Sequence, residues 1–268
     1  MAREPQIADF KYVDAWHTND SGQPVPWTRV EYPEGVKKYQ QEEANNFNCF
    51  CTVQRYTSKS RGARGESFIA PLYFDLDYKT DPAVSQADAV KLIDFFINEL
   101  EIQETDIHLY FSGSKGFHIL IDFQALDIKP GTELHKVYKH IAGYLVHRLG
   151  LRALDLVVYT SSRMLRLPNS IHSGTKLFKI ELALDELRTK TLNEIKGMAN
   201  GPRLYPVIDP AQRKAARDMR PKAVLFYEDK EKEWREAAAT SVKKFAEEFN
   251  FRKDKPPVCV TDILTGGW

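Results

Sequence analysis

The sequence predicts a mixed α/β (α+β) domain, because short apolar strand-like runs alternate with amphipathic helical segments. Phe68 to Leu76 is a strongly apolar and aromatic run, typical of a buried strand. Helically spaced apolar residues follow, between Leu92 and Leu100. Two further runs, Ile107 to Phe111 and Phe117 to Phe123, flank a glycine-containing turn and predict a hairpin. Together these runs predict a strand, a helix and a hairpin in that order.

Other elements follow from the same patterns. Ser85 and Asp88 have the spacing of a capping box and place the start of the first long helix near residue 85. A second helix is predicted from Glu133 to Leu149, with Gly150 as its C-terminal stop. The remaining predicted elements are a polar helix near Glu34 to Asn46, strands at Phe50–Tyr56, Leu156–Tyr159, Met164–Leu167 and Leu177–Leu182, and a charged helix through Lys230–Phe249.

Composition indicates an ordinary globular protein, with 43% hydrophobic and 28% charged residues. The formal net charge of +1 neither supports nor excludes nucleic-acid binding, since only a template-facing surface must be positive. The three cysteines, Cys49, Cys51 and Cys259, lack zinc-ligand spacing and favour a reducing compartment. The sequence shows neither a signal peptide nor a membrane span. We therefore expect a cytoplasmic or nucleoid-associated protein without a membrane partner.

A pair of acids closes the first apolar run, in the segment Tyr73-Phe74-Asp75-Leu76-Asp77. Residues at i and i+2 lie on one face of a strand, so Asp75 and Asp77 should emerge together at its end. Two neighbouring carboxylates repel each other unless a cation lies between them, and a hard divalent ion is the usual solution. Taken alone, the pattern is equally typical of a solvated strand end.

The turn of the predicted hairpin has the composition of a phosphate-binding loop. It reads Ser112-Gly113-Ser114-Lys115-Gly116-Phe117-His118, without the spacing of a Walker A loop. Its glycines allow close backbone approach to an anion, and its hydroxyls, lysine and amides can surround a phosphate. An ordinary hairpin turn is the alternative for this segment in isolation.

A third group of polar residues follows the second predicted helix. Asp155 precedes an apolar run and could add a third carboxylate to the acid pair. Arg163 and Arg166 can neutralise a polyphosphate beside a metal site. Each arginine alone is more typical of a surface, and a lone histidine such as His172 is more often structural.

Together these three segments resemble the motifs of the archaeo-eukaryotic primases, including primase-polymerases and DNA primase small subunits. Asp75-Leu76-Asp77 resembles the first metal-binding motif, and Ser112 to His118 resembles the nucleotide-binding motif. Asp155 with the following Arg-x-x-Arg resembles the third motif. The chain has the Ser-Gly-x-x-Gly-x-His form of the second motif rather than the commoner Ser-x-His, which leaves open whether Ser112 or Ser114 meets the phosphate.

The resemblance implies a fold in which an N-terminal α/β module packs on a mixed sheet like that of an RNA-recognition motif, with the active site in the cleft between them. A composition shift near Asn200 to Pro210 predicts a boundary between a catalytic domain over residues 1–199 and a helical accessory region over 200–268. The resemblance also implies template-dependent nucleotidyl transfer with two divalent ions, Mn²⁺ or Mg²⁺. Asp75, Asp77 and Asp155 would be the catalytic metal ligands. The triphosphate would be held by a larger set: Ser112, Ser114, Lys115, Gly116, His118, Arg163, Arg166 and His172.

The same resemblance implies single-stranded or primed DNA as template and deoxyribo- or ribonucleoside triphosphates as substrates. It is compatible with a helicase or another replication, repair or defence protein as partner. A basic cluster in the C-terminal region, formed by Arg213, Lys214, Arg217, Arg220 and Lys222, could contact the template or be a solvated helix face.

Two other classes compete with this interpretation. Haloacid-dehalogenase-like phosphatases also carry an apolar strand followed by Asp-x-Asp, but they need a late acidic pair that the chain lacks, and they leave the 112–118 turn without a role. A non-catalytic nucleic-acid-binding module would have no use for three carboxylates that repel each other.

Overall fold

Two antiparallel sheets form the framework of the protein, whose computed structural model describes residues 5–19, 21–60, 65–204 and 221–248. The first sheet has the order β5-β4-β1-β3-β9, with β2 also pairing with β1. Its strands are β1 (Tyr12–His17), β2 (Thr28–Glu31), β3 (Cys49–Thr52), β4 (Arg55–Tyr56), β5 (Phe68–Ile69) and β9 (Met164–Arg166). The second sheet has the order β10-β7-β8-β6, with β6 (Leu72–Leu76), β7 (Ile107–Phe111), β8 (Phe117–Ile121) and β10 (Ile180–Leu182).

The helices are α1 (Glu34–Lys38), α2 (Pro82–Asp94), α3 (Leu134–Leu149), α4 (Leu184–Thr189), α5 (Leu192–Met198) and α6 (Pro221–Glu248). Both α2 and α3 pack on the second sheet, and α6 packs on α3. This arrangement confirms the predicted α+β class. The strands of both described sheets pair antiparallel, so the expected mixed strand direction within the sheet unit is wrong.

The two faces of the second sheet differ sharply in chemistry. The face toward the helices carries fully buried apolar side chains such as Phe74, Ile119 and Phe111. On the opposite face the strand register aligns one polar row across four strands, Asp75–His118–Tyr110–Glu181. The alternation of strand side chains therefore places the acids and His118 on the face turned away from the helical layer.

Several predicted boundaries are wrong. The run Phe68–Leu76 divides at Ala70 and Pro71 into β5 and β6, which are edge strands of different sheets. The run Phe50–Tyr56 likewise divides into β3 and β4. The predicted strand Leu156–Tyr159 is irregular in structure. Three strands are shorter than predicted, since β8 ends at Ile121, β9 ends at Arg166 and β10 begins only at Ile180.

The predicted capping box is also wrong, because α2 begins earlier. Asp81 is its N-cap and accepts a hydrogen bond from the backbone N–H of Ala83, with Pro82 in the first turn. Ser85 and Asp88 are buried instead, and Asp88 accepts a hydrogen bond from the N–H of Ala153 at 2.9 Å. Asp88 thus ties the helix to the segment that leads into Asp155.

The second predicted helix is confirmed as α3, which ends where Gly150 adopts a left-handed conformation with φ of 62°. The division of the chain at residue 200 stays a prediction. Of the basic cluster, Arg213, Lys214, Arg217 and Arg220 lie outside the described residues, whereas Lys222 pairs with Glu101 at 2.6 Å. None of the described helices is long and apolar enough to cross a membrane.

Candidate active site

Three acidic residues, Asp75, Asp77 and Asp155, lie near the end of β6. Asp75 and Asp77 flank Leu76, which forms an antiparallel bridge with Leu154. Asp155 donates its backbone N–H to the carbonyl oxygen of Asp75 at 2.9 Å, so the two residues are paired across this bridge. The segment that was predicted to form a strand thus carries Asp155 to the acid pair without being a regular strand.

Asp75 lies in the most perturbed environment of the three. Its side chain is 13% exposed and contacts Arg163 Nη2 at 2.7 Å and His118 Nε2 at 3.6 Å. Burial raises the pKa of Asp75, Arg163 opposes that shift, and the charges of Asp155 and Asp77 raise the pKa further. The carboxylates therefore lie within electrostatic reach of one another.

The other two acids are more accessible. Asp77 is 46% exposed and has Lys115 Nζ at 3.5 Å from Oδ1. Asp155 Oδ1 accepts a hydrogen bond from the N–H of Val157 at 2.8 Å. In the described part of the chain, no three His, Cys, Asp or Glu side chains converge closely enough to hold a metal ion, and cationic side chains neutralise Asp75 and Asp77 instead.

The turn between β7 and β8 packs directly against the end of β6. Gly113 has φ of 85°, and a Cβ on Gly116 would collide with the carbonyl oxygen of Leu76. The Ser112 hydroxyl accepts a hydrogen bond from the N–H of Gly116 at 3.2 Å and so closes the turn. Ser114 makes no side-chain hydrogen bond to any described residue. The glycines therefore bring Ser114 and Lys115 beside the acids.

Two buried cations lie on the other side of the site. Arg166 Nη1 donates to Asn48 Oδ1 at 2.7 Å and to the Ile171 carbonyl, while its guanidinium lies 4.6 Å from the Phe50 ring centroid. Burial lowers the pKa of Arg166 to about 10. Lys179 donates from Nζ to the Arg166 carbonyl at 2.7 Å.

Lys179 is almost completely buried, and its ammonium lies over the Tyr110 ring at 4.5 Å. Burial is the largest cause that lowers the pKa of Lys179, to about 7, and Arg166 contributes in the same direction. Neither cation forms an ion pair with a described carboxylate. An unpaired buried cation is costly, and a bound anion would remove that cost.

The two histidines of the site are both held in a neutral state. Burial lowers the pKa of His118 far below its ordinary value, and the charges of Lys179, Arg163 and Arg166 lower it further. His172 Nδ1 accepts the N–H groups of Gly174 and Thr175, at 3.0 and 3.2 Å. Because an accepting Nδ1 carries no proton, the neutral His172 ring has its N–H at Nε2 and can donate from there.

These side chains surround one cleft of ≈ 310 Å³ between the two sheets. Its lining residues are Phe50, Asp75, Asp77, Ser112, Ser114, Lys115, His118, Arg163, Met164, Leu165, Arg166 and His172. Of the residues expected from sequence, Asp155 and Gly116 are absent from this lining, although both contact its walls. Lys179 lines a smaller neighbouring cavity of ≈ 160 Å³ that shares Leu165 and Arg166 with the cleft.

The sequence analysis missed Phe50, Met164, Leu165 and Lys179. Lys179 carries no local signal, since a lysine between an aromatic residue and a short apolar run resembles a solvated charge. Phe50 was assigned only to a strand. Phosphate chemistry could take place in the larger cleft, whose lining is polar and ionic, rather than in the smaller and more apolar cavity.

Comparison with known proteins gives a family. Residues 74–223, more than half of the chain, match the model of the DNA primase small subunit. Among solved structures, the chain is similar to the polymerase domain from Mycobacterium tuberculosis Ligase D in complex with DNA, with 17% sequence identity and a TM-score of 0.45. That similarity covers 78% of this chain and 75% of the other. No curated protein matches the chain.

Proposed function

Because the chain belongs to the DNA primase small subunit family, we propose that it is a template-dependent DNA primase/polymerase. It joins nucleoside triphosphates to a 3′-hydroxyl on a DNA template. The observation that carries the proposal is the division of charge around one cleft. Asp75 and Asp77 line the cleft at the end of β6, where Asp155 is hydrogen-bonded to Asp75, and Arg166, a buried cation without an acidic partner among the described residues, also lines it.

The donor set fits a hard divalent cation. Asp75, Asp77 and Asp155 offer only carboxylate oxygens, which Mg²⁺ and Mn²⁺ prefer. Burial is the largest cause that raises the pKa of Asp75, and a bound cation would act with Arg163 to lower it again. Bound by these acids, divalent cations would lower the pKa of the attacking hydroxyl and stabilise the pyrophosphate leaving group.

The triphosphate is held by groups from both sides of the cleft. Ser114, whose hydroxyl is not used by the turn, and Lys115 approach it from the β7–β8 turn. Arg166 and the Nε2–H of His172 approach it from β9 and the loop that follows. Lys179 adds positive potential from behind Arg166. Charge-assisted hydrogen bonds of this kind are about twice as strong as neutral ones.

The chemical step moves few atoms, so positioning and electrostatics account for most of the catalysis. The 3′-hydroxyl oxygen forms a bond to the α-phosphorus and loses its proton to solvent, and the bond from that phosphorus to the bridging oxygen breaks to release pyrophosphate. Arg163, now on Asp75, is near enough to exchange that carboxylate for a phosphate oxygen. Base pairing, rather than a protein side chain, selects the nucleotide.

The test uses the full chain with labelled nucleotides, Mn²⁺ or Mg²⁺, and either primed or unprimed single-stranded DNA. We expect extension of the primed strand that EDTA abolishes, and the unprimed reaction reports whether strands are also started. Parallel reactions with deoxyribo- and ribonucleotides identify the preferred sugar. Release of inorganic phosphate without strand extension would favour a phosphatase. DNA binding without incorporation under either metal would favour a non-catalytic module.

A further inference from the structure

The two walls of the cleft differ in a way that triphosphate binding does not explain. The wall from the second sheet is charged or hydroxylic throughout, from Asp75 to His118. The wall from the first sheet adds three apolar side chains, Phe50, Met164 and Leu165. A nucleotide has a highly charged triphosphate and an aromatic base. The charged groups of the cleft therefore suit the triphosphate, and the apolar side chains suit the base.

Phe50 belongs to a cross-strand row on the first sheet. The register pairs it with Trp16 of β1 on one side and with Arg166 of β9 on the other. The Trp16 and Phe50 ring centroids are 5.1 Å apart, with planes inclined by 47°. Because β3 is hydrogen-bonded on both sides, the backbone that carries Phe50 has a fixed position at the cleft wall.

Neither aromatic residue is accounted for by the hydrophobic interior. Trp16 and Phe50 are both partly exposed, and neither belongs to the two core clusters of the described residues. Large aromatic side chains bury extensive surface when they pack in a core, so the Phe50 ring, which lines the cleft beside Trp16, is available to a ligand.

Arg166 connects this aromatic pair to the phosphate-binding groups. Its guanidinium lies on the Phe50 ring, while its buried charge has no acidic partner among the described residues. A triphosphate held by Arg166 would leave the attached nucleoside beside Phe50. Aromatic side chains accept all four bases, because every base has a π-face.

We propose that Phe50, supported by Trp16, forms the nucleoside subsite of the cleft and contacts the base or sugar of the incoming triphosphate. The inference rests on the proposed function, since it takes the triphosphate to be the ligand. It adds a contact that serves every nucleotide equally, which suits an enzyme whose selectivity comes from base pairing.

The test separates the two ends of the ligand. ATP and inorganic tripolyphosphate are titrated calorimetrically into the full chain with Mg²⁺. Phe50→Ala should weaken ATP binding about tenfold and leave tripolyphosphate binding within about twofold, whereas His118→Ala should weaken both. Phe50→Tyr, which keeps the ring, should restore ATP affinity.

Tyr32→Ala is the matched control. Like Phe50, Tyr32 is an aromatic residue stacked on an arginine, with Arg55 at 4.3 Å, but it is exposed and lines the smaller neighbouring cavity instead of the cleft. We expect it to bind both ligands like the wild type.

Three results would overturn the subsite. Unchanged ATP affinity in Phe50→Ala would refute the assignment of Phe50 to the nucleoside subsite. An equal weakening of ATP and tripolyphosphate binding would mean that Phe50 only places Arg166. Abolished single-stranded DNA binding with normal ATP binding would assign Phe50 to the template. If the wild type bound neither ATP nor tripolyphosphate, the proposed function itself would fail, and the subsite with it.

Discussion

His118 and His108 occupy the same face of the second sheet on adjacent strands, yet their charge environments are opposite. His108 lies between two acids, with Nε2 at 3.3 Å from Asp122 and Nδ1 at 3.3 Å from Glu181. His118 Nε2 has one acid, Asp75, at 3.6 Å, but that acid is already paired with Arg163, and the cations Lys179, Arg163 and Arg166 lower the pKa of the ring. Burial lowers the pKa of both rings, but at His108 the two acids outweigh it and raise the pKa to about 9. His118 instead stays neutral at physiological pH.

The difference separates a structural cluster from a ligand site. At His108 the opposite charges compensate each other within the protein, so the cluster is complete as it stands. Around His118 there are more cationic side chains than acidic side chains to balance them. Excess charge that is retained at the expense of stability is typical of a site that binds a ligand of the opposite sign.

The largest effect is expected at the acids facing His118. Asp75→Asn or Asp77→Asn should lower nucleotide incorporation by more than about a thousandfold, because each removes several kcal/mol of transition-state stabilisation. The melting temperature of the metal-free protein should fall for Asp75→Asn, which breaks the ion pair with Arg163 at 2.7 Å, and should change little for Asp77→Asn at the more exposed acid. Primer extension and thermal melting with and without Mn²⁺ measure both effects.

Asp127→Asn is the control for this experiment, because Asp127 is an exposed acid paired with Lys129 away from the cleft. Full polymerase activity in a double mutant of Asp75 and Asp77 would refute the assignment of the acids.

The second effect concerns His118. His118→Ala should weaken nucleoside triphosphate binding by about ten- to a hundredfold, which is the scale of one hydrogen bond to a charged group. Single-stranded DNA affinity should change little. His140→Ala, at an exposed histidine that pairs with Glu233, is the control. Normal triphosphate affinity together with abolished DNA binding would show that the 112–118 turn contacts the template instead.

The third effect concerns His108 and its two acidic neighbours, Asp122 and Glu181. The folded-state pKa of His108 lies above its ordinary value of 6.5, so its stabilising contribution is complete below pH 6.5 and is lost as pH rises to about 9. His108→Gln should remove that part of the pH dependence, on the order of 3 kcal/mol, and leave polymerase activity unchanged at neutral pH. Urea unfolding between pH 6 and 10 measures it, and an unaltered pH profile would show that the ring is not charged in the folded protein.

The smallest effect concerns template binding beyond the cleft. Reversing Arg213 and Arg217 to Glu should weaken single-stranded DNA affinity and flatten its salt dependence, by about 0.7 in the logarithmic slope for each phosphate that the variant no longer neutralises. Extension at saturating template should survive. A gel-shift series in increasing salt measures the slope, and an unchanged slope would assign the cluster to structure alone.

The sequence by itself determined the features that depend on neighbouring residues. The two-residue period of a strand predicts that Asp75 and Asp77 lie on one face. The glycines at positions 113 and 116 allow the backbone conformation and close packing of the 112–118 turn. Helix α3 was equally predictable from its apolar spacing and its glycine stop. Each of these patterns lies within a few residues of the chain.

Only the tertiary structure decided the rest, because packing joins residues that are distant along the chain. One apolar run divides at Pro71 between two sheets, and the pairing at Leu154 brings Asp155 beside Asp75. No local pattern states that Lys179 is buried behind Arg166 or that Phe50 faces the cleft. The pKa values of His118 and His108 were likewise unpredictable from sequence, since burial and the sign of the surrounding charge are properties of the assembled sheet.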